Sequence, residues 1–180
     1  MPAEGEGRNA VYAATRGWSV EAFDQSDIAQ AKAYRLAEEA SVHINYQVFD
    51  FKDIANKYEN NKFDLIGLTY AHLPPDVRVK AFRTLAKLLK KDGLLVLECF
   101  SKNQTLYQTE EHSSGGPQNK SLLYSKEEIP RIFSEQEAIY LKEEVISLDE
   151  GSGHQGKASV IRYIGRKKDA NIFKYMQIAK

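Results

Sequence analysis

The 180-residue sequence predicts an α/β fold: a mostly parallel twisted sheet with helices on both faces, closed by a C-terminal antiparallel hairpin. Three observations carry that prediction. Strand and helix patterns alternate from Ser19 to Phe100, the ordering that gives parallel strands joined by right-handed crossovers. Phe63-Asp64-Leu65-Ile66-Gly67-Leu68 and Leu94 to Phe100 are apolar runs, the mark of strands buried on both faces. Two late strand patterns, Ala138 to Leu148 and Ala158 to Arg166, stand close enough to pair as a hairpin around Gly151, Gly153 and Gly156.

Taken in order, Arg8 to Arg16 reads as a short helix stopped by Gly17. Ser19 to Phe23 alternates like a strand and ends at Asp24. Ser26 suits the N-cap of a second helix, with Ile28, Ala31, Leu36, Ala37 and Ala40 on its apolar face. Val42 to Phe49 reads as a strand ending at Asp50. Pro74-Pro75 opens a third helix, with Phe82, Leu85 and Leu89 at helical spacing and Asp92-Gly93 as its stop. Asn103 to Ser125 is polar, contains Ser113-Ser114-Gly115-Gly116-Pro117, and reads as a long functional loop. Lys126 to Phe133 reads as a short helix. The division expected is one domain over residues 1–167 and a tail over 168–180.

Composition narrows the function classes. Lys+Arg and Asp+Glu balance at 25 each, so no global charge draws the chain to nucleic acid or acidic membranes. No apolar run approaches a bilayer span, and no signal peptide opens the chain. The one cysteine, Cys99, lies in the apolar run LLVLECF. It permits no internal disulfide and reads as a buried thiol in a cytoplasmic protein. No histidine pair, and no histidine with Cys99, has metal-ligand spacing, so no metal is expected.

The chemistry concentrates near the start. Gly5-x-Gly7-x-x-Ala10 is a relaxed form of the glycine turn that runs into a helix. Glycines let a ligand approach the backbone, and the free N–H groups of a helix start favour an anion. Asp24, at the end of the next strand, can accept from both hydroxyls of a ribose. Two cofactors satisfy this pattern: a nicotinamide dinucleotide, by its pyrophosphate, and S-adenosylmethionine, by its methionine carboxylate. Glu4 and Glu6 flank the glycines. They would repel a pyrophosphate but can meet an ammonium group, which favours S-adenosylmethionine. In Val48-Phe49-Asp50-Phe51, an adenine could lie against Phe51 while Asp50 accepts from its amine.

With these residues in place, the sequence resembles a Rossmann-like class I S-adenosylmethionine-dependent methyltransferase. It is similar to the small bacterial tellurite-resistance and thiopurine methyltransferases. EGEGRNAVYAATRGWSVEAFDQS, FDLIGLTYAHLPPDVR, LKKDGLLVLECF, the SGGP loop and LDEGSGHQGKASVI carry the resemblance. It implies that Glu4, Gly5, Gly7, Arg8 and Asn9 line the methionine end of the cofactor. It implies Asp24 and Gln25 at the ribose, Asp50 and Phe51 at the adenine, and Thr69 and Tyr70 beneath the sulfonium. It also implies a first strand that this sequence lacks: Ala3 stands at the usual first glycine, and only Met1 and Pro2 precede it. About four buried aliphatic side chains in such a strand are worth roughly 6–12 kcal/mol, at ~1.5–3 each. Either the sequence is a fragment that lacks this strand, or the slot is expected to be filled, by the tail segment Ile172 to Ile178 or by a strand from a second copy in a homodimer.

The function expected is methyl transfer to a small-molecule acceptor. His72, Tyr70 and His154 are the candidate acid–base groups: His72 lies just past a strand's carboxyl end, and His154 lies in the hairpin turn. The run Lys87, Lys90, Lys91 reads as a helix end favouring the dipole rather than as a nucleic-acid patch. Two alternatives stand beside this one. The first is a degenerate methyltransferase fold with a cofactor-binding or interaction role and no catalysis. The second is a nicotinamide-dependent oxidoreductase.

Overall fold

The computed structural model describes residues 1–108, 114–149 and 155–168. Its elements run α1 (Arg8–Thr15), β1 (Glu21–Asp24), α2 (Asp27–Glu39), β2 (Asn45–Val48), α3 (Ile54–Lys57), β3 (Phe63–Thr69), α4 (Pro75–Leu88), β4 (Leu89–Phe100), α5 (Ile129–Ile132), β5 (Gln136–Asp149) and β6 (Gln155–Lys167). Short 3₁₀ turns at Phe51–Asp53, Lys102–Tyr107, Lys120–Leu122 and Lys126–Glu128 complete the connections. The expected hairpin turn at residues 150–154, with His154, and the expected strand candidate in the tail at residues 169–180 lie outside the described residues.

The sheet forms in two hydrogen-bonded parts. β1 and β2 are parallel, with Asp24 opposite Val48. The second part has the order β3-β4-β6-β5. β3 is parallel to β4, while β6 is antiparallel to both β4 and β5. Parallel strands followed by an antiparallel hairpin is the α/β arrangement read from the sequence. Among the described residues, no strand precedes α1. Pro2 alone forms an isolated parallel bridge to Phe23. The Phe23 amide donates to the Met1 carbonyl at 3.1 Å, and the Met1 amine donates to the Glu21 carbonyl at 2.6 Å.

Local rules explain most element ends. Ser26 caps α2, its hydroxyl accepting from the Ala29 amide at 3.1 Å. Pro75 sits in the first turn of α4, where its missing N–H costs nothing. A capping box, Ser125 with Glu128, opens the turn before α5.

Two sequence expectations fail here. The buried face of α2 is Ala29, Ala33 and Ala37, while Ile28 is 68% exposed. Small side chains win because α2 packs closely on α1: a Cβ on Gly7 would stand 2.5 Å from the Ala33 Cβ. The third long helix ends at Leu88, not at Asp92-Gly93. β4 begins directly at Leu89, and Asp92 (φ 62°) and Gly93 lie inside it beside an irregularity in the β3–β4 register. The turn signal was real, but the sheet absorbs it. Lys90 accordingly lies on a strand, where it pairs with Asp64 at 2.9 Å.

The main core joins β3, β4 and β6 to α4 and α5, with Phe82, Leu85, Leu95, Tyr124, Phe133 and Tyr163 at its centre. A second core, of Ala10, Val20, Ala33, Ile44 and Tyr46, packs α1 and α2 on the small sheet. Cys99 is fully buried, and burial pushes its thiol well above the ordinary range. It is a packing residue rather than a nucleophile.

Candidate functional site

The carboxyl ends of β1, β2 and β3 converge on one cavity of about 500 Å3, within the ~300–1,000 Å3 usual for small-ligand sites. Asp24 and Gln25 come from the end of β1, Asp50 and Phe51 from the end of β2, and Tyr70 and His72 from the end of β3. Six of the residues singled out from the sequence therefore meet in one place. Parallel strands account for this: their carboxyl ends share one edge of the sheet, and the loops there are free to hold side chains.

Asp24 is fixed by two backbone donors. Gly5 N–H reaches Oδ2 at 3.2 Å, and Ser26 N–H reaches Oδ1 at 3.1 Å. A carboxylate offers about four acceptor positions, so two remain for a ligand's hydroxyls. The Tyr46 hydroxyl donates to the Gly5 carbonyl at 2.6 Å, so the turn is held from both sides. Gly5 has φ 61°, and a Cβ built on it would meet nothing within 4 Å, so the turn is open where a ligand would approach.

The helix start differs from expectation. The Glu4 side chain turns back beneath α1, and its Oε1 accepts from the Ala10 amide at 2.6 Å. The carboxylate is buried, and desolvation is the largest influence on it, lifting its pKa to about 6 against the opposing pull of the Ala10 amide. The anion on the helix start is thus the chain's own. Gly7 (φ 90°) serves the approach of α2. Glu6 pairs with Lys32 at the surface. The residues that line the cavity do not include Gly5, Gly7, Arg8, Asn9 or Thr69.

Asp50 caps the turn at Phe51, its Oδ1 accepting from the Lys52 amide at 3.1 Å, and is otherwise exposed. The Phe51 ring is half-buried, edge-on to Phe23 at 5.3 Å. Phe23 stacks on Phe49 at 4.2 Å, so this side of the cavity has an aromatic floor.

The other wall includes Tyr70, which leads into a polar chain the sequence did not disclose. Tyr70 adopts φ 53°, a left-handed backbone unusual for a side chain of its size. That turn stacks its ring on Phe100 at 4.6 Å and sends its hydroxyl to Glu98 at 2.7 Å. Glu98 also accepts from Arg162 at 2.7 Å, and Arg162 reaches Glu144 at 3.2 Å. Glu98 and Arg162 face each other across the β4–β6 ladder. No local signal reveals that register, because the hairpin that sets it is remote in sequence.

His72 is engaged on both ring nitrogens. Nδ1 lies 3.0 Å from the Leu122 carbonyl, so it carries the proton, and Nε2 accepts the Phe100 amide at 3.5 Å. Burial holds its pKa below the ordinary value. Arg78, buried at the start of α4, donates to the carbonyls of Leu73, Ser121 and Leu123 and pairs with Glu128. Together His72 and Arg78 pin the 119–124 segment against the cavity wall.

Solved structures share this architecture. An enzyme that converts a disulfide bond into a thioacetal group during echinomycin biosynthesis aligns with TM-score 0.73 and 14% identity, over 99% of this chain and 79% of that one. TehB from Haemophilus influenzae aligns with TM-score 0.70 and 17% identity, over 91% of this chain and 55% of TehB. An S-adenosylmethionine-dependent methyltransferase from Methanosarcina mazei aligns with TM-score 0.68 and 16% identity, over 93% and 90%. The comparison with curated proteins gave no match. The family model of the methyltransferase domain matches residues 3–93, from the glycine turn to the start of β4, and the chain belongs to that family.

Proposed function

We propose that the protein binds S-adenosylmethionine in the cavity at the carboxyl ends of β1–β3 and transfers its methyl group to a small-molecule acceptor. The supporting observation is the convergence of Asp24, Asp50 and Phe51 on that cavity, with two acceptor positions of Asp24 uncommitted. Asp24 accepts the ribose hydroxyls, Asp50 the adenine amine, and the Phe51 ring lies against the adenine face. When bound, the cofactor supplies a methyl group already activated by the sulfonium.

The chain's own work is then chiefly positioning and exclusion of water. Tyr70 and the segment pinned by His72 and Arg78 form the wall on the acceptor side. His72 and the Tyr70 hydroxyl already have protein partners. That favours a soft nucleophile, such as a thiol, which needs no strong base. The acceptor read here is a small molecule, with no nucleic-acid or membrane surface involved.

The same engagement favours one second reading, a cofactor-binding protein without transferase activity. Incubation with S-adenosylmethionine and a panel of thiol acceptors separates the two, with S-adenosylhomocysteine release as readout. Turnover with a thiol supports transfer. Binding of S-adenosylhomocysteine without turnover on any acceptor supports the second reading.

A further inference from the structure

A second cavity, of about 360 Å3, lies against the segment that His72 and Arg78 pin. Ser121 and Leu123 line it, while the Leu122 carbonyl between them meets Nδ1 of His72, which lines the first cavity. Four cationic side chains reach the second cavity: Arg78 and Arg83 from α4, Arg131 from α5, and Lys102 from the turn after β4. Among the described residues, Glu128 is the one acid in its wall. That carboxylate is spent on both oxygens. Oε1 pairs with Arg78, and Oε2 accepts from the Ser125 amide and hydroxyl, each at 3.2 Å. Arg78 is spent too, on Glu128 and on the carbonyls of Leu73, Ser121 and Leu123.

The other three cations are not. Arg83 gives Nε to the Ile132 carbonyl at 3.3 Å and Nη2 to the Arg131 carbonyl at 3.0 Å, which leaves Nη1 uncommitted among the described residues. Lys102 and Arg131 enter no ion pair among the described residues. Three positive charges thus line one cavity without a counter-charge, in a chain whose acids and bases balance at 25 each. Like charges around one cavity repel, and an anion between them removes the repulsion.

Shape and lining narrow the anion. The three cations come from three separate elements, so they approach from different sides. A phosphate monoester offers three terminal oxygens and about two negative charges, enough for all three, whereas a carboxylate has two oxygens. Val79, Leu123 and Ile132 make the rest of the wall apolar. The volume lies near the lower end of the ~300–1,000 Å3 usual for small-ligand sites, which suits a small molecule.

We propose that this cavity binds a phosphate monoester of a small apolar alcohol or phenol. Lys102, Arg131 and Nη1 of Arg83 hold the phosphate oxygens, and the apolar group lies against Val79, Leu123 and Ile132. The binding does not depend on what the first cavity holds.

Phenyl phosphate is the probe, titrated into the isotope-labelled full chain at low salt. The expected result is a saturable set of amide shifts clustered at Lys102, Ser121, Leu123 and Arg131. The double variant Lys102→Gln with Arg131→Gln binds roughly a hundredfold more weakly, at about tenfold for each lost charged bond. Both side chains are exposed, so neither substitution disturbs packing. The matched variant Lys80→Gln with Lys126→Gln removes the same charge from exposed positions outside the wall and keeps the native affinity. Inorganic phosphate, which lacks the apolar group, binds several-fold more weakly than phenyl phosphate. Equal losses in the two double variants reduce the effect to net charge and overturn the proposal. Equal binding of the two phosphates overturns the assigned ligand class. Shifts clustered elsewhere on the native chain, or no saturable shift up to about 10 mM, overturn the site itself, whatever the variants do.

Discussion

The Gly5 amide donates to Oδ2 of Asp24 at 3.2 Å, tying the glycine turn to the end of the neighbouring strand. That bond couples the two most informative features of the sequence. It also separates the roles of the two glycines. Gly5 faces open space, whereas Gly7 lies under Ala33.

Gly7→Ala therefore destabilises far more than Gly5→Ala. Both place a side chain at positive φ, at about 1–2 kcal/mol. Only the alanine at position 7 also drives α1 from α2, adding roughly 1–3 kcal/mol of overpacking. Urea unfolding of the two variants checks this, and equal losses would show that close helix approach is not what Gly7 provides.

Stability falls as pH rises through about 6. Burial raises the Glu4 carboxyl from 4.5 to about 6 in the folded chain. Its contribution is fully present below pH 4.5 and is lost as pH rises through about 6. The loss is on the order of 2 kcal/mol. Glu4→Gln keeps an acceptor for the Ala10 amide and abolishes that loss, measured as unfolding free energy from pH 4.5 to 8.

His72→Ala costs about 2–3 kcal/mol of stability, because it strips partners from the Leu122 carbonyl and the Phe100 amide in a buried setting. Denaturant unfolding reads this directly. An unchanged midpoint would return His72 to the status of a free acid–base group.

Phe51→Ala weakens S-adenosylhomocysteine binding about tenfold, at ~0.5–1.5 kcal/mol for the lost ring contact plus lost burial. Asp50→Asn costs only a few-fold, since Asp50 is exposed and already caps its turn. Calorimetry on both variants tests that order, and a larger loss at position 50 would reverse the assignment of the adenine face.

Much of this was legible in the sequence because it is local. Period-2 and period-3.6 patterns, the Ser26 cap and the Pro75 helix start depend on neighbours in the chain. Asp24, Gln25, Asp50, Phe51, Tyr70 and His72 were found because strand ends are recognisable and parallel strands bring those ends together. The rest was set by long-range register and close packing. The Glu98–Arg162 pair exists only because β6 returns beside β4. The inward turn of Glu4 depends on the Ala10 amide at the start of α1, and the alanine face of α2 on its distance from Gly7. Arg78 has no local sign of burial in the sequence, yet it is buried among the carbonyls of a segment more than forty positions away.

The claim on which the rest depends is that Asp24 holds the sugar of an adenosyl ligand. Calorimetric titration of S-adenosylhomocysteine into the native chain and into Asp24→Ala tests it most directly. The account predicts saturable one-to-one binding to the native chain and at least tenfold weaker binding to the variant, from two lost bonds to a charged acceptor. Binding of equal strength to both, or no heat with the native chain, would contradict it.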